Sequence, residues 1–220
     1  MKQIKIFIAC DTTNLKKAKN IIYQTKTSKI KIGYKFGLEF MNSKNGRRFI
    51  SSLKNKIIFI DLKLNDTVNT MISAVKALKD LKINYLTVHI SSGLAALKAV
   101  KRISRRTKII GVTTLTSLNN NDLKLIGYNK SVKSLVFHQA KLAKKAGLDA
   151  LVCSPYEVSA VRKIFKKEII TPGVQIGKRN YDQKRSMEAQ KVKSDWLVIG
   201  RAITQGNIKR NIQNLVKKLR

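Results

Sequence analysis

The stretch Phe59-Ile60-Asp61-Leu62-Lys63-Leu64-Asn65-Asp66 sets three charged side chains within six positions. Alternate side chains on an extended chain share a face, so Asp61 and Lys63 point to the same side. Asp66 falls beyond them, on the loop that enters the next helix. Lys31, at the end of the preceding predicted strand, brings a second ammonium to the group. A carboxylate at a strand end is costly to desolvate unless it is paired, and lysines at the same level supply the pairing. Such an array suits proton transfer or the stabilisation of developing charge. It also suits a salt-bridge ladder with no chemistry at all, and spacing alone does not separate the two.

The elements that carry these residues follow from periodicity. Eight short runs rich in Ile and Val are predicted strands: 4–10, 29–33, 56–61, 84–89, 108–113, 149–154, 168–172 and 195–200. Amphipathic stretches lie between them. Residues 70–81 place Met71, Ile72, Val75 and Leu78 at helical spacing. Residues 131–146 do the same with Leu135, Ala140 and Leu142, and Gly147 follows as a C-cap. Strand-then-helix units from end to end, without a Pro- or Gly-rich boundary, predict one (β/α)8 TIM barrel over residues 1–220. An open doubly wound sheet is the weaker alternative, because Asp11-Thr12-Thr13-Asn14 follows the first strand in place of a glycine-rich turn. A barrel places its chemistry at the C-terminal ends of its strands. Those ends carry Asp11, Lys31, Asp61 with Lys63, His89, Thr113 to Ser117, Ser154, Pro172-Gly173 and Gly200-Arg201.

The carboxylates are scarce, which makes their placement informative. Among 220 residues there are 46 Lys and Arg against 12 Asp and Glu, a net charge of +34. Lys, Ile and Asn, all written with A- and T-rich codons, account for 77 residues, so coding bias explains much of the charge. The basic residues are spread evenly and are mostly lysine, whereas a nucleic-acid surface concentrates them and favours arginine. A solvated lysine-rich surface with no specific nucleic-acid partner is expected. At 43% hydrophobic the chain is no disordered polycation. No apolar run approaches the ~18 residues of a membrane span, and the N-terminus lacks a signal-peptide core. Cys10 and Cys153 lie in apolar runs without metal-type spacing, and two His are too few for a zinc cluster. A reduced, cytoplasmic protein without a metal is expected. His89 is read as structural, His138 as structural or exposed, and Trp196 as core or helix–strand packing.

Taken together, the motifs resemble those of the orotidine 5′-phosphate decarboxylase family along the whole chain. Asp61-x-Lys63-x-x-Asp66, continuing to Asn69-Thr70, resembles its active-site block, Asp11 its ribose contact and Lys31-Ile32-Gly33 its Lys-Val-Gly element. Val112-Thr113-Thr114-Leu115-Thr116-Ser117 resembles the segment that holds the pyrimidine, and Cys153-Ser154-Pro155 with Glu157 the segment after strand six. Thr171-Pro172-Gly173, Asp182-Gln183-Lys184-Arg185 and Val198-Ile199-Gly200-Arg201 resemble the phosphate-binding end.

The resemblance implies decarboxylation of orotidine 5′-monophosphate to UMP with neither metal nor organic cofactor. Lys63 would stabilise the C6 carbanion and protonate it, with Asp61 beside the departing carboxylate. Lys31 and Asp66 would hold Lys63 charged and oriented. The resemblance further implies a homodimer in which Asp66 and Thr70 serve the neighbouring subunit's site. Thr116 falls in the pyrimidine segment, and Gly200-Arg201, opening the last helix, would hold the phosphate. Gln175, Arg179 and Gln183 are candidates to close on it, with 174–181 as the closing loop. The nearest alternatives are 3-keto-gulonate-6-phosphate decarboxylase and hexulose-phosphate synthase of the same superfamily. These use Mg2+ with an acidic residue where Lys31 is placed. A basic nucleic-acid-binding protein is the alternative of a different class.

Overall fold

Eight parallel strands close into a barrel in the computed structural model, which describes residues 5–175 and 187–219. They are β1 (Lys5–Ala9), β2 (Lys31–Gly37), β3 (Ile57–Leu64), β4 (Tyr85–His89), β5 (Lys108–Val112), β6 (Ala150–Val152), β7 (Glu168–Thr171) and β10 (Trp196–Ile199). Each pairs with its neighbour in chain order, and β10 closes on β1 through Ile6↔Leu197 and Ile8↔Ile199. Two short strands, β8 (Val174–Gln175) and β9 (Met187–Glu188), pair with each other outside the barrel.

Alternation along β1 explains how the interior is filled. Ile6 and Ile8 face the helices, whereas Phe7 points into the barrel. There it stacks on Trp196 with ring centroids 4.1 Å apart and meets Phe59 and Tyr85 edge-on at 5.0 and 5.2 Å. Ile110, Ala150 and Ile170 complete this plug, so Trp196 is interior core. Below it, Glu168 accepts the Tyr85 hydroxyl at 2.9 Å and pairs with Lys108 at 3.2 Å. A filled middle and a charged floor leave the upper mouth for ligands, as expected of this fold.

The helices form where the spacing places them. The helix Val68–Ala77 buries Met71 and Val75. The helix Val132–Lys145 ends at Gly147 with φ of 73°, where the Gly147 and Leu148 amides donate to the Lys144 and Ala143 carbonyls. This is the glycine-terminated C-cap of a Schellman motif. Six strands lie where the hydrophobic runs put them, and the third starts there but runs three residues past its expected end at Asp61, to Leu64. The second does not: β2 spans Lys31–Gly37, not 29–33. Gly33 resembles a strand end in the sequence but lies mid-strand opposite Phe7, where an added Cβ would sit 2.5 Å from the Phe7 ring. The glycine makes room for the aromatic plug.

Candidate active site

Extending β2 by four residues changes which lysine reaches the mouth. Lys31 stands at the opposite, N-terminal end of the barrel, exposed and in register with Lys5. This corrects its expected place beside Asp61. Lys35, in register with Ala9 on β1 and Phe59 on β3, occupies that place. Its Nζ lies 3.2 Å from Asp11 Oδ1 and 3.3 Å from Asp61 Oδ2. Lys63 Nζ lies 3.0 Å from the other Asp61 oxygen, Oδ1. Asp11, Lys35, Asp61 and Lys63 thus form one line of alternating charge from the ends of three adjacent strands.

Lys63 reaches Asp61 by a different backbone route from simple alternation. Its φ is +50°, in the left-handed region that residues bearing a Cβ rarely enter. The β3–β4 register shifts between Ile60 and Leu64, so a bulge accommodates the turn. The Lys63 amide donates to Thr87 Oγ1 at 2.9 Å, and the same hydroxyl donates to Asp61 Oδ1 at 3.0 Å. Strain of this kind clusters at functional sites.

Burial and charge oppose each other in this array, and charge prevails. Burial pushes the Asp61 carboxyl upward, but Lys35 and then Lys63 hold its pKa below the ordinary value. Burial likewise works against the Lys35 ammonium, and Asp61 with Asp11 raises its pKa in spite of that. Both groups are charged at neutral pH. His89, inward-facing at the end of β4, has its pKa lowered by burial and by Lys63 against the opposing pull of Asp61. Burial pushes the Cys10 thiol up to about 12, which leaves it inert beside the site.

The array opens into a cavity of about 320 Å³, within the range of small-molecule sites, which begins near ~300 Å³. Thr114 and Thr116 after β5, Val174 after β7, and Gly200 and Arg201 after β10 line its other walls. The Thr114 amide donates to the buried side chain of Gln139 at 2.8 Å, which ties the β5 loop to the helix behind it. Sequence reading missed Lys35, Thr87 and Gln139. Two signals mark the latter pair: Thr87 shares the inward face of Tyr85 and His89, and Gln139 interrupts a buried apolar stripe.

The family model described as orotidine 5′-phosphate decarboxylase / HUMPS family matches residues 5–211. The chain belongs to this family. A Wolbachia sp. subsp. Brugia malayi (strain TRS) protein named orotidine 5′-phosphate decarboxylase is 41% identical to it, with 97% of each chain covered. The protein of that name in Carboxydothermus hydrogenoformans is 34% identical, covering 94% of this chain and 91% of the relative. Among solved structures, orotidine 5′-phosphate decarboxylase from Lactobacillus acidophilus superposes with a TM-score of 0.84 at 27% identity, covering 99% of both chains. The Methanocaldococcus jannaschii structure, at TM-score 0.79 and 22% identity, attests the fold.

The remaining residues expected from the decarboxylase family fall in three groups. Thr116, Gly200 and Arg201 stand at the cavity, although Arg201 opens the four-residue helix Arg201–Thr204 and not the last helix, Ile208–Leu219. Asp66 and Thr70 are exposed and do not line the cavity: Asp66 Oδ1 accepts the Thr67 amide at 2.6 Å, and the Thr67 and Thr70 hydroxyls lie 3.0 Å apart. Gln175 lies in β8 by its backbone, whereas Arg179 and Gln183 lie outside the described residues. His138 is exposed on its helix.

Proposed function

We propose that the chain is one catalytic barrel that converts orotidine 5′-monophosphate to UMP and CO2 with neither metal nor organic cofactor. The observation that carries this reading is the Asp11–Lys35–Asp61–Lys63 line at the cavity mouth. Cleavage of the bond between C6 and the carboxylate releases CO2 and leaves the electron pair on C6. The Lys63 ammonium stabilises that charge as it forms and then delivers a proton to C6. Lys63 regains its proton from solvent. Preorganised charge in a site sheltered from water is commonly the largest catalytic term. Asp61 pairs with Lys63 and lies beside the departing carboxylate, and Lys35 keeps Asp61 ionised. Asp11 contacts the ribose, and Thr116 faces the pyrimidine. Gly200 and Arg201 bind the phosphate, with Gln175, Arg179 or Gln183 as the side chain that closes on it, and this remote binding energy helps orient the reacting centre. Following the loss of substrate absorbance with purified protein tests the reaction directly.

Lys35 also separates this reading from the Mg2+-dependent branch of the family. Its ammonium bridges two carboxylates and would repel a divalent cation at close range. Turnover is expected to be unchanged in excess EDTA. Activity that depends on added Mg2+ would move the chain to that branch.

Asp66 and Thr70 complete the site of a second copy in a homodimer. Their exposure on the chain that carries them supports this. Lys63→Ala and Asp66→Ala proteins, each inactive alone, are expected to regain about a quarter of wild-type activity on mixing and reassociation. Half of a random mixture is heterodimer, and each heterodimer holds one intact site of two. Mixtures that stay inactive would rule out shared sites. No helix among the described residues is long and apolar enough to cross a membrane. Both cysteines are free and buried, in keeping with a cytoplasmic protein. Specific nucleic-acid recognition has no part in this reading.

A further inference from the structure

Thr87 is fully buried on β4, between the two charged residues that the proposed reaction uses. A hydroxyl has one hydrogen to give, and here it goes to Asp61 Oδ1 at 3.0 Å. A lone pair of the same oxygen receives the Lys63 amide at 2.9 Å. That amide needs an acceptor, because the β3–β4 ladder is irregular between Ile60 and Leu64, where the left-handed turn falls. One oxygen atom therefore fixes both the backbone that aims Lys63 and the carboxylate that pairs with it.

We infer that Thr87 is a positioning residue, whose hydroxyl locks the turn at Lys63 and the Asp61 carboxylate into one arrangement. This role rests on the decarboxylase reading above. Valine has the shape of threonine but would strand the Lys63 amide and take a hydrogen bond from Asp61. The ammonium would then sample positions off the line to C6, and misplacement of about 1 Å can cost roughly 100-fold in rate.

The test measures kcat and KM for orotidine 5′-monophosphate, UMP affinity by calorimetry and Tm, in the wild type and in Thr87→Val, Thr87→Ser and Thr87→Cys. Thr87→Val is expected to lose roughly 100-fold in kcat, with KM and UMP affinity within about twofold of wild type. Thr87→Ser keeps the hydroxyl and should retain most of the activity, while Thr87→Cys should follow valine. A valine variant that turns over at the wild-type rate would overturn the role. Should valine prevent folding, serine and cysteine decide it, because they differ only by oxygen for sulfur, and equal impairment in those two would also overturn it. A wild-type protein inert toward orotidine 5′-monophosphate would overturn the decarboxylase reading and this role together, whereas an active valine variant removes the role alone.

Discussion

Replacing Lys63 by Ala is expected to abolish UMP formation while leaving the fold intact. In the proposed reaction the electron pair left on C6 has no carbonyl placed to take it up, and the Lys63 ammonium has two tasks. It stabilises the charge, an effect worth about 10²- to 10³-fold for a single preorganised donor, and it supplies the proton, worth about 10²- to 10⁴-fold. Losing both should lower kcat by roughly 10⁴-fold or more, about 5.5 kcal/mol at the barrier. The fold should survive for two structural reasons. Asp61 keeps Lys35 at 3.3 Å and the Thr87 hydroxyl at 3.0 Å, so it is not stranded as an unpaired buried charge. Alanine, like lysine, carries a Cβ, so the cost of φ at +50° is unchanged. Tm is expected to shift by no more than about 4 °C, the equivalent of roughly 1 kcal/mol for a chain of this size. Near-normal turnover by a folded Lys63→Ala protein would remove Lys63 from the mechanism.

How far such a site is legible in one sequence depends on which physical effect places each residue. Asp61 was legible because a carboxylate following an apolar run is costly to bury and needs a reason. Its partnership with Lys63 was legible from period-two spacing, but the left-handed turn that delivers the lysine was not. Nothing local in Leu62-Lys63-Leu64 announces a bulge. It arises from pairing with β4, where Thr87 waits with a hydroxyl. The barrel was legible from the alternation of strands and helices. The register of β2 was not, since Lys31-Ile32-Gly33 and Lys35-Phe36-Gly37 are tandem versions of one pattern. Choosing between them requires knowing that Phe7 points inward opposite Gly33, a contact about 26 positions away in the chain. Asp66 and Thr70 illustrate the remaining limit, because both side chains are exposed, bond only to their neighbour Thr67 among the described residues and do not line the cavity, so nothing within one chain assigns them a role.

The tandem lysines yield the second large effect. Lys35→Ala is expected to lower kcat/KM by about 10²- to 10³-fold, whereas Lys31→Ala should stay within about twofold of wild type. Lys31 is exposed at the far end of the barrel, so its loss changes one solvated charge. Lys35 is the cation that Asp11 and Asp61 share, and without it two carboxylates face the same space. Burial would then push the Asp61 carboxyl upward with only Lys63 and the Thr87 hydroxyl opposing it. The sign of the pH effect follows. A carboxylate whose folded pKa is depressed contributes stability above its unfolded pKa and loses it as pH falls through the folded value. Removing Lys35 raises that folded value, so both the acid limb of kcat/KM and acid unfolding should move to higher pH. The shift should be absent in Lys31→Ala. Lys31→Ala losing as much activity as Lys35→Ala, or a Lys35→Ala acid limb that stays in place, would mean that the charge line does not hold Asp61 ionised.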